Sequence, residues 1–171
     1  MKVLLVQPAA TDRGFIHLGL GFIAASLEAR GHDVGIVDLG IEGESRKDIS
    51  RLVQKSAPDV VGITALTPTY PGSLFVAGIV KELFPACPVI LGGTHSSVLT
   101  DEVLKEPVID FVIRGEGEIT MVDLLDAMEA GTGFDRVQGV SFRDRGEIRH
   151  NVPRDLIDDL DTLPSIPWHL F

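Results

Sequence analysis

Two apolar stretches lie close together near the middle of this 171-residue sequence, at Asp59–Thr64 and Val89–Leu91. Neither shows the alternation of apolar and polar residues that marks a strand with one face in water. Uninterrupted apolar runs of this kind are typical of parallel strands that helices cover on both faces. Between them, Pro71–Phe84 has helical length, and its proline suits a first helical position. The segment therefore predicts a strand, a helix and a second, parallel strand.

The alternation of strand and helix continues on both sides of this unit. Five strands alternating with five helices predict an α/β fold with a five-stranded parallel sheet and right-handed crossovers. The three further strands are expected at Lys2–Gln7, His32–Asp38 and Ile109–Ile113, and the four further helices over about 16–30, 45–56, 98–105 and 119–130.

The pattern changes after residue 133. Val137–Phe142 and Glu147–His150, joined by a glycine-bearing turn, predict a β-hairpin. Residues 151–171 carry three prolines and no sustained period, which indicates a linker. The sequence thus predicts an α/β domain at 1–133, a hairpin appendage at 134–152 and a linker at 153–171.

The charge balance limits the choice of partners. A formal net charge of -10 argues against nucleic acid and against an anionic membrane, because phosphates require a basic face. No apolar run reaches the roughly 20 residues of a membrane helix, and Met1-Lys2 leads directly into the first strand without a signal peptide. The single cysteine, Cys87, excludes an internal disulfide and is expected to be a small buried side chain. These features predict a cytoplasmic protein.

Small and polar residues follow the predicted strands at their carboxyl ends, where open α/β sheets bind ligands. Ala65–Tyr70 offers hydroxyl and backbone groups, and Gly92 and Gly93 would let a flat, bulky ligand approach the backbone. Arg114–Glu118 is either a polar wall of this site or a turn that starts the next helix, because acidic side chains also favour a helix start. The residues predict a binding site, without a nucleophile–base pair and without metal-ligand spacing.

A nucleotide- or flavin-binding site is the alternative on this fold. Gly19–Ala24 matches the letters of the dinucleotide fingerprint, and Asp38 ends the second strand at about the distance of a ribose-binding acid. That fingerprint requires its first glycine directly after the first strand, whereas Gly19 and Gly21 follow a long loop. The mechanism of dinucleotide binding therefore fits poorly.

A phosphoacceptor domain shares the same fold and is excluded by its residues. It requires clustered aspartates after the first and third strands and a lysine after the fifth. This chain has Gln7, Thr64 and Arg114 at those places.

Four loops are informative together and in this order: Leu18–Gly21, Gly62–Tyr70, Leu91–His95 and Arg114–Glu118. In this combination they resemble the N-terminal cobalamin-binding domain of B12-dependent radical SAM proteins. The closing segment Leu160–Trp168 resembles the linker that precedes the radical SAM barrel in those proteins. The resemblance therefore covers the whole chain.

The resemblance implies a flavodoxin-like or Rossmann-like sheet of strand order 2-1-3-4-5, with cobalamin as the ligand. It places the nucleotide tail of the cofactor in a cleft at the carboxyl edge of the sheet. Cobalamin domains carry a Ser-x-Leu and a Gly-Gly element, for which Thr64–Leu66 and Gly92–Gly93 stand here. The residues expected to bind the cofactor are Ala9, Ala10, Thr11, Phe15, Ile16, His17, Leu18, Gly19, Leu20, Thr64, Ala65, Leu66, Thr67, Thr69, Tyr70, Gly92, Gly93, Thr94, His95, Arg114, Gly115, Glu116, Gly117 and Glu118.

The first element of the cobalamin pattern, Asp-x-His-x-x-Gly, is broken in this chain. Alignment puts Gly14 at the aspartate, Ile16 at the histidine and Gly19 at the glycine, so His17 lies one residue late. The resemblance therefore implies base-off cobalamin without a histidine ligand to cobalt, and we expect no metal ligand from this chain.

A single cysteine cannot hold the iron–sulfur cluster of a radical SAM enzyme, so we expect that cluster in another part of the polypeptide. A radical SAM cluster requires the spacing Cys-x-x-x-Cys-x-x-Cys, and Cys87 stands alone. The [4Fe-4S] cluster and S-adenosylmethionine would belong to a downstream radical SAM domain. The resemblance implies that this chain is the cofactor-binding part of a methyltransferase-type enzyme and performs no catalysis by itself.

Overall fold

A computed structural model describes residues 1–9 and 17–171 of the chain. These residues form a sheet with the strand order β2-β1-β3-β4-β5-β6-β7. Its first five strands are parallel neighbours, whereas β5–β6 and β6–β7 pair antiparallel. The α/β class with a mainly parallel sheet is confirmed. The strands are β1 (Lys2–Gln7), β2 (Asp33–Asp38), β3 (Val60–Thr64), β4 (Val89–Gly92), β5 (Phe111–Ile113), β6 (Val140–Asp144) and β7 (Glu147–His150).

Local sequence signals set the ends of the helices. Ser45 caps α3 by accepting a hydrogen bond from the backbone N–H of Asp48, as its residue type predicts. Gly131 ends α7 with a φ of +69°, the left-handed conformation that glycine adopts without strain. The helices are α1 (Leu18–Ala29), α2 (Leu39–Glu42), α3 (Arg46–Ser56), α4 (Tyr70–Leu83), α5 (Thr94–Val98), α6 (Thr100–Lys105) and α7 (Glu118–Ala130).

Two helical details differ from the sequence prediction. The single helix expected over 98–105 is divided into α5 and α6, because Leu99 leaves the helical region with a ψ of +39°. The short helix α2 was not expected; it begins where the Asp38 carboxylate accepts a hydrogen bond from Gly40 N–H at 2.8 Å. Helices α2, α5 and α6 have only four to six residues each. Such helices are too short for apolar periodicity to detect.

The predicted five-stranded sheet is wrong in strand number, because the hairpin extends it to seven. Strand β6 pairs with the free edge of β5, with Val140 opposite Ile113 and Phe142 opposite Phe111. Both β6 residues are buried, so the hairpin completes the apolar layer beside β5. The hairpin itself was predicted correctly, whereas its place on this sheet was left open by the sequence.

Helices cover both faces of the sheet, as the uninterrupted apolar strands predict. On β1, Leu4 and Val6 join the core layer that contains apolar residues of α3, α4 and α6. Val3 and Leu5 point to the opposite layer, which α1 and α7 complete. Successive residues of one strand thus serve two cores, which explains the absence of polar positions between them.

The segment after the hairpin packs back onto α1 and α7. Arg154 donates hydrogen bonds to Thr120 and to Asp123 of α7. The backbone N–H of Ile157 donates to Glu116 at 2.7 Å. Ile166 lies so close to α1 that a Cβ added at Gly21 would meet its Cγ2 atom at 3.0 Å. Residues 153–171, predicted as a linker, are therefore docked along the helices that flank β1 and β5.

No helix within residues 1–9 and 17–171 combines the length and the apolar character needed to cross a bilayer.

Arg143 of β6 links the hairpin to the segment that leads from α6 into β5. Its substitution tests the packing of the hairpin against the sheet. Its guanidinium donates to the backbone oxygens of Leu104, Glu106 and Ile109. We expect Arg143→Ala to lower the free energy of unfolding by about 2–4 kcal/mol, because partly buried carbonyls lose charged donors. Urea denaturation measures this change.

Arg149 is the matched control on the same hairpin. Its ion pair with Asp144 is largely exposed, so Arg149→Ala should cost less than about 1 kcal/mol. Equal small losses in both variants would show that Arg143 does not anchor the hairpin.

Candidate functional site

A cavity of about 260 Å³ opens at the carboxyl edge of the sheet, on the face that α1 and α7 cover. Its walls come from the start of α1, the ends of β3 and β4, and the turn that leads from β5 into α7. This edge, beside the point where the strand order reverses between β1 and β3, is where open α/β sheets bind ligands. The predicted location of the site is therefore matched by a cavity.

Ten residues of the predicted site line this cavity. Nine of them lie in the four loops that carry the resemblance, and His17 directly precedes the first of these loops. They are His17, Gly19, Leu20, Thr64, Gly92, Gly93, Gly115, Glu116, Gly117 and Glu118.

Other residues of the predicted site lie elsewhere. Those that the structure describes outside the cavity lining are Ala9, Leu18, Ala65, Leu66, Thr67, Thr69, Tyr70, Thr94, His95 and Arg114. Ala10, Thr11, Phe15 and Ile16 lie outside the described residues.

The floor of the cavity was missed by sequence reasoning. It is apolar and is built from strand residues together with side chains of α1 and α7. Because these strands are buried on both faces, no alternation of polarity marks which of their residues face a ligand. The residues of this group are Leu5, Ile23, Gly62, Ile63, Ile90, Ile113 and Met121.

His17 is fixed by hydrogen bonds at the wall of the cavity. It caps α1, with its Nδ1 atom accepting from the backbone N–H of Leu20 at 3.3 Å. Burial lowers the pKa of His17, so the ring is neutral at pH 7. Because Nδ1 accepts, the ring proton lies on Nε2, which faces the Thr64 hydroxyl oxygen at 3.4 Å. In this tautomer Nε2 is the donor that faces Thr64.

The loop after β3 is fastened to α5. The rings of Tyr70 and His95 stack with centroids 4.1 Å apart, and His95 Nδ1 lies 3.1 Å from the Thr67 hydroxyl oxygen. The Thr69 hydroxyl exchanges hydrogen bonds with the backbone of Leu66. These residues therefore hold the shape of the loop beside the cavity.

Gly93 is required by the geometry of the strand end. It has a φ of +97° and a ψ of 177°, a conformation that only glycine adopts readily. A Cβ atom added there would lie 2.6 Å from the backbone oxygen of Ala65. Gly92 differs, since a Cβ added there would meet nothing within 4 Å. One glycine of the pair thus permits the close approach of two loops, while the other leaves open space beside the cavity.

Two carboxylates from one loop take different roles in the wall. Glu116 accepts the hydrogen bond from Ile157 N–H described above. Glu118, the first residue of α7, has a buried Oε2 atom without a hydrogen-bond partner among the described residues. Burial raises the pKa of the Glu118 carboxyl, and the neighbouring Glu116 adds to the effect.

Arg114 turns away from the cavity. Its guanidinium donates to the backbone oxygens of Val140 and Asn151, which links the end of β5 to the hairpin. Burial lowers the pKa of this arginine. In this structure Arg114 holds the hairpin in place.

A serine–histidine–aspartate row occurs outside the cavity and was not predicted. The Ser141 hydroxyl lies 3.0 Å from His150 Nδ1, and His150 Nε2 lies 2.9 Å from an Asp101 carboxylate oxygen. Ser141 is 0% exposed, so a substrate has no access to its hydroxyl. The row therefore joins the hairpin to α6 as a structural contact.

Cys87 is buried, as predicted, and burial raises the pKa of its thiol to about 11. Within the described part of the chain, no group of three or more His, Cys, Asp or Glu side chains is arranged to hold a metal ion.

Five large apolar side chains are exposed on the segments that follow the parallel strands. They lie at the start of α1, on the loop after β3, at and just beyond the end of α5, and in the first turn of α7. The residues are Leu18, Leu66, Val98, Leu99 and Ile119.

The fold and the cavity define a ligand-binding α/β domain with its site at the carboxyl edge of a parallel sheet. Residues 10–125, more than half of the chain, match the family model described as the B12 binding domain. The chain therefore belongs to the family of B12-binding domains.

Two curated relatives are longer than this chain. The chain is 36% identical to "Uncharacterized methyltransferase PH0819" of Pyrococcus horikoshii, over 99% of its own length and 39% of that protein. It is 31% identical to the anaerobic magnesium-protoporphyrin IX monomethyl ester cyclase of Synechocystis sp., over 99% of its own length and 36% of that protein. It thus spans about two fifths of the length of each relative.

A solved structure has the same fold. The radical S-adenosylmethionine methyltransferase TsrM of Kitasatospora setae, with cobalamin and a [4Fe-4S] cluster bound, superposes with a TM-score of 0.79 at 20% identity. The match covers 96% of this chain and 31% of that chain. At this identity the similarity shows the shared fold.

The two glycines after β4 yield a paired prediction for stability. We expect Gly93→Ala to lower the free energy of unfolding by about 2–4 kcal/mol, because the new side chain is strained and meets the Ala65 backbone. Gly92→Ala should change it by less than about 1 kcal/mol, since its Cβ enters open space. Urea denaturation of both variants measures the difference. A Gly93→Ala protein as stable as Gly92→Ala would contradict the close approach.

The neutral state of His17 predicts a dependence of stability on pH. Because its pKa is lowered on folding, the neutral ring makes its full contribution to the free energy of unfolding above about pH 6.5. The contribution is lost as the pH falls through the folded-state pKa, because the unfolded chain binds the proton first. His17→Asn keeps a capping oxygen and removes the titrating ring.

We therefore expect the free energy of unfolding of the unmodified protein to fall more steeply between about pH 7 and pH 5 than that of His17→Asn. Burial also lowers the pKa of His32, but His32 titrates in both proteins and cancels in the comparison. Urea denaturation across this range gives the two slopes, and equal slopes would show that His17 is not held neutral.

Proposed function

We propose that this chain is the cobalamin-binding part of a B12-dependent radical SAM methyltransferase. It holds base-off cobalamin at the carboxyl edge of its sheet, within an α/β domain (1–133) extended by the hairpin (134–152) and followed by a linker (153–171). The observation that carries the proposal is an apolar, glycine-walled cavity at this edge in a member of the B12-binding family.

The size of the cavity indicates which part of the cofactor enters it. Its volume of about 260 Å³ lies below the roughly 300–1,000 Å³ of sites that enclose a drug-sized molecule. Cobalamin is much larger, so the nucleotide tail fits inside and the corrin ring remains at the mouth. Leu66, exposed on the loop after β3, offers apolar surface at this edge of the sheet. Gly92 leaves open space beside the cavity, because a Cβ added there would meet nothing within 4 Å.

The hydrogen-bonding state of His17 supports a base-off form without a histidine ligand to cobalt. Nδ1 caps α1, and the Nε2 proton is directed to Thr64. Ligation would require deprotonated Nε2 and a break of the contact with Thr64. The protein groups at the site therefore hold and orient the cofactor, while Thr64 and the loop backbone offer hydrogen bonds.

Cobalamin supplies a cobalt centre that can carry a methyl group, and the protein contributes binding and orientation. The [4Fe-4S] cluster and S-adenosylmethionine would lie in a downstream radical SAM domain, in line with the greater length of the relatives. Transfer of a methyl group is proposed because the relative at 36% identity is described as a methyltransferase. The cytoplasmic location and the lack of nucleic-acid or membrane partners stay predictions.

A dinucleotide- or flavin-binding domain is less well supported by the geometry. Gly19 and Gly21 lie inside α1, ten residues or more beyond the end of β1, so they do not form its first turn. Asp38, the expected ribose ligand, already accepts a hydrogen bond from Gly40 N–H. Among the described residues, the cavity lining contains no lysine or arginine to pair with a diphosphate.

Titration of the purified protein with hydroxocobalamin and methylcobalamin, followed by gel filtration and visible spectroscopy, tests the proposal. We expect the corrin to co-elute with a base-off spectrum, and we expect His17→Asn to leave that spectrum unchanged. A spectrum that shifts in His17→Asn would identify His17 as the cobalt ligand. Retention of a flavin or dinucleotide in place of a corrin would support the alternative.

Filling the cavity provides a second measurement of the same site. We expect Gly92→Leu to weaken cobalamin binding at least about tenfold, because the side chain occupies the entrance. Gly78→Leu is the matched control: a Cβ at Gly78 also meets nothing within 4 Å, and Gly78 lies in α4, away from the cavity. Equal binding by both variants would place the cofactor elsewhere.

A further inference from the structure

One carboxylate in the cavity wall has an unused capacity to accept a hydrogen bond. Glu118 lines the cavity, and its Oε2 atom is buried without a partner among the described residues. Buried polar atoms are almost always paired, so an exception calls for a specific reason. At a ligand site, a donor that arrives with the ligand would supply the missing partner.

Comparison with the neighbouring Glu116 shows that the unpaired buried carboxylate oxygen is specific to Glu118 among the described residues. Glu116 lies on the same loop and also lines the cavity, but its Oε2 accepts from Ile157 N–H at 2.7 Å. The fold thus uses Glu116 to hold the segment after the hairpin. Glu118 remains available to a ligand.

The charges of the cavity lining indicate which kind of group could donate a hydrogen bond to Glu118. Its ionisable lining consists of Glu116, Glu118 and the neutral His17, with no lysine or arginine among the described residues. Two carboxylates repel a phosphate group, so the phosphodiester is not the group that contacts Glu118. The complementary group is an uncharged donor, such as a hydroxyl.

We propose that Glu118 accepts a hydrogen bond from a ribose hydroxyl of the cobalamin nucleotide and thereby selects ligands that carry this sugar. The inference rests on the proposed function. In the nucleotide tail, the dimethylated benzimidazole base has no N–H group and the phosphodiester has no proton. The sugar hydroxyls are therefore the donors that this part of the cofactor brings to the cavity.

The test combines two ligands with three variants. Hydroxocobalamin carries the nucleotide, whereas dicyanocobinamide keeps the corrin ring and its amides but lacks it. Glu118→Met has a similar length without an acceptor, and Glu118→Gln keeps a carbonyl oxygen that can accept. Glu129→Gln removes a carboxylate from the same helix at a position outside the cavity lining and is the control.

We expect Glu118→Met to raise the Kd for hydroxocobalamin about 10- to 100-fold, the range for a lost hydrogen bond to a charged group. The Kd for dicyanocobinamide should stay within about twofold of the unmodified protein, which also shows that the variant is folded. Glu118→Gln should retain most of the affinity for hydroxocobalamin, and Glu129→Gln all of it. Absorbance titration measures each Kd.

Three results would overturn the inference. An equal loss for both ligands in Glu118→Met would indicate a structural role, and no loss would show that Glu118 makes no such bond. A loss in Glu118→Gln as large as in Glu118→Met would show that charge, and not acceptance, matters. Failure of the unmodified protein to bind hydroxocobalamin would instead refute the proposed function, and this inference with it.

Discussion

Burial of the parallel sheet on both faces is the constraint on which the rest of the structure depends. Every residue of β3 is buried, and so are the first three residues of β4. Such strands cannot carry polar groups along their length, because each group would lose water without gaining a partner. Polar side chains are therefore confined to the strand ends, and the cavity forms there. The separation between a dry interior and a polar edge explains why four loops carry the site.

Close approach of backbone segments gives this edge its shape. Gly93 lets the turn after β4 touch the loop after β3, and a Cβ at Gly117 would meet Ile23 of α1 at 2.8 Å. Both contacts join elements that are distant in sequence and adjacent to the cavity. The contact at Gly93 is with the Ala65 backbone, so this part of the cavity wall has little freedom to adjust and is preformed for a ligand.

More of the fold than of the binding site could be predicted from the sequence. Continuous apolar strands such as Val89–Leu91 identify the buried sheet, and the glycines that follow them identify the binding edge. The cavity floor, which includes Ile90 and Met121, could not be read in the same way, because residues facing the ligand and residues facing the core are equally apolar there. The pairing of β6 with β5 also required coordinates, since a hairpin pattern specifies its own register and not its neighbour. The partner of Glu116 lies about forty residues away in an irregular segment, where periodicity gives no guide.

The hydrogen bond from Ile157 to Glu116 makes the cavity wall part of the docking of the C-terminal segment. If that segment left this position, Glu116 would lose its donor and become a second free acceptor beside Glu118. A molecule in the cavity that attracts Glu116 would therefore weaken the attachment of the segment, and a firmly attached segment would disfavour such a molecule to the same extent. Binding at Glu116 and the position of residues 153–171 would thus be coupled through this one hydrogen bond.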